Sequence, residues 1–249
     1  MTLAPSSSLF LRAVHLDLPA EQIGQYPFAL PIFRGFQELH LSSRVTILVG
    51  ENGSGKSTLL EAIATSWGLN PEGGSRNFHF ATKESHSNLH EHMTLVKGIK
   101  RPGDAYFLRS ESYYNLASEI ERLDESGGGR KITPNYGGKS LHHQSHGESF
   151  LSLFLHRFHG NGLYILDEPE AALSPSKQLT LLARISDLVA ENAQFIIATH
   201  SPILLLCPEA DLLEVRGSQL VKTAYRDTQH FQTTRDVLNN PEAVLRNLL

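Results

Sequence analysis

Apolar positions in this chain form short solid runs in some places and helical stripes in others. Three runs, VTILV (45–49), LYIL (163–166) and QFIIA (194–198), show no alternation of polar and apolar residues. Short β-rich runs of this kind are what strands covered on both faces require. Helical patterns follow the first two. In KSTLLEAIATSW, residues Leu59, Leu60, Ile63, Ala64 and Trp67 make one apolar side at helical spacing. KQLTLLARISDLVAENA follows the second run. This alternation predicts an α/β fold with a mainly parallel central sheet flanked by helices and right-handed crossovers.

The ends of the chain read differently. LFLRAVHLDL and FRGFQELHL partly alternate, which predicts antiparallel strands at one edge. DLLEV and QLVKTAY flank Gly217-Ser218, a pair suited to a two-residue type II′ hairpin turn. Asn240-Pro241 reads as the N-cap and first residue of a closing helix, PEAVLRNLL. Between Trp67 and Ser145 the pattern is interrupted. GLNPEGGSRN is a loop, YFLRSESYYNLASEIERL holds a strand and then a helix, and ESGGGRKITPNYGGKS is glycine-rich. The expected organisation is one domain over 1–249, with a core of 1–67 and 145–249 and an inserted, mostly helical lobe at 68–144.

Composition narrows the function classes. A chain of 249 residues with 40% hydrophobic content can bury a sizeable core. Its net charge of -4 gives no support to nucleic acid as a partner over the whole surface. Lys97, Lys100 and Arg101, and separately Arg130 and Lys131, read as solvated basic runs. The single cysteine, Cys207, excludes an intrachain disulfide and fits a reducing cytosol. No apolar run approaches the roughly 20 residues of a membrane span, and no secretory leader is evident. The expectation is a soluble cytoplasmic protein.

The strongest chemical signal is GENGSGKST, residues 50–58. It matches G-x-x-x-x-G-K-[ST] and lies between a buried strand and a helix, as a phosphate loop must. The expected nucleotide contacts are Gly50, Glu51, Asn52, Gly53, Ser54, Gly55, Lys56, Ser57 and Thr58. The glycines let the backbone turn its N–H groups inward, beside a helix N-terminus, to form an anion site. Lys56 would reach the β- and γ-phosphates, Ser57 would offer its hydroxyl to Mg2+, and Thr58 the α-phosphate.

LYILDEPEAALS carries the second signal. Asp167 and Glu168 end an apolar strand, on the side where parallel sheets bind ligands. Asp167 would hold Mg2+ directly or through water, and Glu168 would polarise the attacking water. QFIIATHSP places His200 at the next strand end, within reach of the γ-phosphate or that water.

Taken together these stretches resemble the ATP-binding cassette ATPases, within the P-loop NTPase class. GENGSGKST is similar to their phosphate loop, ILDEP to their acidic motif, AALSP to their dimer-contacting loop and THSP to their switch histidine. That loop usually ends in Asp, where this chain has Ser174. SHGES (145–149) stands in the place of the family signature, with His146 where a small residue is usual. More narrowly, the chain resembles the RecF, SMC and OLD-like branch. Within it, the likeness is to small bacterial AAA-family ATPases sharing SHGESF, DEPEAALSP and THSPI.

The resemblance implies hydrolysis of ATP to ADP and phosphate, with Mg2+. It implies a nucleotide-dependent, head-to-tail homodimer signalling to an unknown protein partner. Ser145 and Gly147 of one subunit would then face the ATP of the other, with Lys56, Glu168 and His200 doing the chemistry. It leaves open a transporter's ATPase subunit and a nucleic-acid repair or defence ATPase. Arg109 or Glu111 stands where the family has a lobe-junction glutamine. Phe33, Arg34 and Phe36 are candidates for the group that stacks on adenine, each with core or surface as the equal alternative. His86, His90 and His92 form H-x-x-x-H-x-H, which reads as polar surface rather than zinc.

Overall fold

A computed structural model describes residues 8–18, 20–75, 87–113 and 146–248, with positions 118, 122, 124 and 134 between them. Ser145, His86, Arg130 and Lys131 lie outside the described residues.

Five strands run parallel at the centre: β3 (Val45–Val49), β6 (Asp104–Arg109), β7 (Gly162–Asp167), β8 (Gln194–Ala198) and β9 (Asp211–Arg216). Their order is β9-β3-β8-β7-β6. The sheet is completed to seven by two antiparallel edges, β10 (Gln219–Lys222) on β9 and β4 (Gly74–Ser75) on β6. The hairpin joining β9 to β10 turns at Gly217, whose φ of 62° matches the first position of the expected turn. The N-terminal strands do not extend this sheet. β1 (Leu11–Leu16) and β2 (Glu38–His40) form a separate antiparallel sheet with β5 (Met93–Lys97), in the order β2-β1-β5.

Within the lobe expected at 68–144, residues 93–97 and 104–109 are therefore strands of the two sheets. β5 and β6 are thus woven into the core. Local pattern gave β6 as a strand, but a period of two says which face is buried, not which strand lies alongside.

Helices cover both faces of the central sheet. α1 (Lys56–Trp67) and the three-stranded sheet pack on one side. α2 (His146–His156) and α3 (Pro175–Ala190) pack on the other. Alternate residues of each strand divide between the two cores. Ile47, Tyr164, Leu166 and Phe195 face α2 and α3, while Leu48, Leu163, Ile165 and Ile196 face α1. α2 presents Phe150, Leu153 and Phe154 at helical spacing, all fully buried. Its rings continue a ladder onto the sheet. Phe154–Phe158 centroids are 4.7 Å apart, Phe158–Tyr164 stack at 4.2 Å, and Tyr164–Phe195 lie at 5.2 Å. Each such ring contributes about 1.5–3 kcal/mol by burial. The Tyr164 hydroxyl donates to His159 O and accepts from His159 N, both at 2.8 Å. Burial pushes this phenol up to about 12. The ladder thus fixes α2 against the strand that carries Asp167.

A buried glutamine ties the small sheet to the large one. Gln194 Oε1 accepts from Phe10 N at 2.8 Å and Leu11 N at 3.0 Å, and its Nε2 donates to Leu11 O at 2.8 Å. α4 (Gln229–Asn239) and α5 (Pro241–Leu248) close the described chain. No described helix is long and apolar enough to cross a membrane.

Candidate functional site

The site forms where the parallel strands end. Asp167, the last residue of β7, is in register with Arg109 of β6 and Ala198 of β8. The phosphate loop leaves β3 beside them and enters α1. Gly55 is the N-cap of α1, with φ 101°, and no side chain caps it. A Cβ at Gly55 would lie 2.5 Å from Ile32 Cγ2, so the tight turn needs glycine on both counts. The first-turn N–H groups of α1 are left for an anion, which is the ordinary use of such a terminus.

Lys56 is buried and folded back onto the loop that carries it. Its Nζ donates to Gly50 O at 2.7 Å and Glu51 O at 2.9 Å, and lies 3.4 Å from Ser54 Oγ. Desolvation lowers its pKa, against the attraction of Glu168, Asp167, Glu51 and Glu170. Ser57 Oγ donates to Asp167 Oδ1 at 2.9 Å, joining helix and acidic strand end. Burial pushes the Asp167 carboxyl up to about 6, opposed by the Ser57 hydrogen bond and Arg109. A desolvated carboxylate beside a hydroxyl is a set of hard oxygen donors that fits Mg2+. Glu51, Asn52 and Gly53 form the exposed rim of the loop, and Thr58 is half-buried in α1.

Glu168 adopts a left-handed backbone, φ 49°, that a side chain rarely takes. Its N–H donates to Ala198 O at 2.9 Å. Its carbonyl accepts from Ser110 Oγ at 2.6 Å and Ala171 N at 3.1 Å. These bonds hold a conformation costing about 1–3 kcal/mol, as functional sites often do. The Glu168 side chain is 41% exposed, and its Oε1 lies 3.6 Å from His200 Nε2.

His200 is held from two sides. Its N–H donates to Glu170 Oε1 at 2.6 Å, and its Nδ1 lies 3.1 Å from His230 Nε2. Burial, helped by the Lys56 cation and His230, pushes the imidazole down to about 4. Burial also raises the Glu170 carboxyl and lowers His230.

A stability prediction follows from His200. Between its ordinary 6.5 and about 4, the unfolded chain binds a proton that the folded site refuses. Stability is therefore lost as pH falls through that window. Asp167, raised above its ordinary value, works in the opposite sense over part of the same range. Thermal melts at pH 7 and pH 5 should show a smaller loss for His200→Gln than for wild type. An equal loss would mean that His200 is not held neutral.

Arg109, the last residue of β6, lies among three carboxylates. Its Nη1 pairs with Glu61 Oε2 at 2.8 Å, its Nη2 with Glu111 Oε2 at 3.6 Å, and its Nε lies 3.7 Å from Asp167 Oδ2. Of Arg109 and Glu111, Arg109 is the one beside Asp167. Phe33 and Phe36 are core residues at 0% and 5% exposure, which removes them as adenine platforms. Arg34 is exposed and donates to Ala29 O at 3.2 Å.

The signature stretch is partly described. α2 begins at His146, so Ser149 lies buried inside its first turn. A Cβ at Gly147 would lie 2.7 Å from Ala172 O and 3.2 Å from Lys177 Nζ. The glycine thus lets α2 close against the loop after the acidic motif. His90 Nδ1 lies 3.1 Å from Ser87 O and His92 packs edge-on to Phe28, so they serve local structure. Cys207 is buried, with its thiol pushed up to about 12.

Two residues of the site escaped sequence reasoning. Glu170 is the third carboxylate of DEPE, and its nearness to Asp167-Glu168 was a usable signal. His230 lies 30 residues from His200, and no local pattern links them.

This fold and site define a P-loop ATPase domain of the ATP-binding cassette type. The chain belongs to the AAA-domain family, whose sequence profile matches residues 23–154. It is 30% identical over 170 residues to a thiamine import ATP-binding protein, ThiQ, of Cereibacter sphaeroides, covering 62% of this chain and 70% of that one. It is 25% identical over 203 residues to ABC transporter G family member STR2 of Medicago truncatula, covering 75% of this chain and 28% of that protein. Among solved structures, a metal-chelate type ABC transporter in an inward-facing conformation aligns with a TM-score of 0.50. Identity there is 15%, over 90% of this chain and 88% of that one, so the likeness is one of fold.

Proposed function

We propose that the protein binds MgATP and hydrolyses it to ADP and phosphate, and that two copies close head to tail around two nucleotides. The observation that supports this reading most is the 2.9 Å contact from Ser57 to Asp167, because it makes two distant motifs one site. Ser57 and Asp167 would hold Mg2+, which supplies neutralisation of charge on the phosphates.

The residues divide the work. The N–H groups at Gly53, Gly55 and the start of α1 bind phosphate oxygens. Lys56 leaves the Gly50 and Glu51 carbonyls and turns to the β- and γ-phosphates. Glu168 takes a proton from the attacking water as its oxygen bonds the γ-phosphorus. The bond to the bridging oxygen breaks, and its electron pair leaves with ADP. His200 donates to the γ-phosphate or to the water. Ser145 and Gly147, of the signature stretch, approach that γ-phosphate from the second copy. We place the chain with the soluble RecF, SMC and OLD-like branch on the strength of the motifs SHGESF, DEPEAALSP and THSP.

Association has a direct readout. Light scattering of Glu168→Gln protein should give twice the monomer mass with MgATP and the monomer mass with MgADP. A single monomeric mass in both would sink the sandwich. One relative is named for thiamine import and the other for an ABC transporter, which favours a second reading as a transporter's ATP-binding subunit. Recovery of the trapped protein on membranes from its own cells would select that reading.

A further inference from the structure

We infer that His230 is a positioning residue for His200: its Nε2–H donates to His200 Nδ1 and so leaves His200 presenting Nε2–H to Glu168 and to the γ-phosphate. The inference rests on the reading of Glu168 and His200 as the hydrolytic pair.

The geometry allows few alternatives. His230 Nε2 and His200 Nδ1 face each other at 3.1 Å, with ring centroids 5.2 Å apart. Both rings are held neutral, by burial and by the Lys56 cation. A neutral imidazole has one N–H and one bare nitrogen, and an approach of 3.1 Å needs one of each, so a single hydrogen lies between the two facing nitrogens. Were it on His200 Nδ1, the bare lone pair of His200 Nε2 would face Glu168 Oε1 at 3.6 Å. Acceptor would meet acceptor, and a γ-phosphate arriving there would make a third. With the hydrogen on His230, His200 Nε2 becomes a donor aimed at the carboxylate. Among the described residues that nitrogen has no hydrogen-bond partner, and neither has the buried Nδ1 of His230. The second ring nitrogen thereby sets the tautomer of the first.

His230 is also firmly placed. It is the second residue of α4, whose N-cap Thr228 accepts from Phe231 N at 3.3 Å. Gln229 N donates to Glu214 Oε1 at 2.8 Å, and Arg216 Nε holds the other oxygen of Glu214 at 2.7 Å. Phe231 packs on Tyr225 with centroids 4.6 Å apart. α4 is thus pinned to β9 so that its first turn meets the histidine following β8.

The test compares His230→Leu with His230→Gln. The glutamine amide nitrogen can stand where His230 Nε2 stands; leucine offers no donor. The Leu protein should lose about tenfold in kcat, the worth of one hydrogen bond at a reacting centre, with KM and nucleotide affinity little changed. The Gln protein should recover most of that loss. NMR of ring-nitrogen-labelled histidines gives a readout independent of turnover. In wild type, His200 should show Nε2–H and an Nδ1 shifted by an accepted hydrogen bond. That shift should vanish in Leu and persist in Gln. If wild type fails to hydrolyse ATP, the functional reading fails and the spectrum still decides this inference. An Nδ1–H on His200, an Nδ1 signal indifferent to the Leu change, or equal kcat loss in both variants overturns it.

Discussion

The Glu168→Gln protein should bind MgATP as tightly as wild type and turn it over at least about 10²-fold more slowly. The substitution keeps size and hydrogen-bonding capacity but removes the charge that accepts a proton. The left-handed φ of 49° and the Ser110 and Ala198 hydrogen bonds involve only the Glu168 backbone, so they survive the change. Lys56 loses the first of the carboxylates that favour its charge but keeps Asp167, Glu51 and Glu170. Binding is therefore spared while the chemical step is lost. Phosphate release and nucleotide affinity, measured on the same preparation, separate the two. A parallel loss of both would mean that Glu168 binds nucleotide rather than activating water.

Lys56→Ala acts at the other end of the reaction. Lys56 is 4% exposed, and its ammonium now sits on the Gly50 and Glu51 carbonyls. Those contacts hold a cation ready beside the anion site, to be exchanged for phosphate oxygens. Hydrogen bonds from a charged donor contribute roughly 1.5–3 kcal/mol. ATP affinity should therefore fall about 10- to 100-fold, and turnover at a fixed ATP concentration should fall with it. The Gly50 carbonyl loses a buried partner, so thermal melts must accompany the titration. A folded Lys56→Ala protein with unchanged ATP affinity would contradict the placement of phosphate in this loop.

Much of the site could be read from the chain because its chemistry is local. A glycine-rich turn between a buried strand and a helix has few other uses, and VTILV, the loop and KSTLLEAIATSW are contiguous. The hairpin at Gly217 and the helix at Pro241 were legible for the same reason. What escaped depends on contacts across the fold. β5 pairs with β1, some eighty positions earlier, and no periodicity names that partner. β6 reads as a strand, but its place beside β7 decides that Arg109 meets Asp167. Phe33 and Phe36 were open as adenine platforms until packing put them in the core. His230 reaches the site only because Glu214 and Arg216 of β9 fix the start of α4.

The most direct test of the central claim is phosphate release from MgATP by the purified wild-type chain, measured beside Glu168→Gln and Lys56→Ala. The account predicts steady release by wild type and almost none by either variant, with ATP still bound by the first and weakly held by the second. A wild-type protein that binds MgATP without releasing phosphate, or a Glu168→Gln protein that releases it at the wild-type rate, would contradict it.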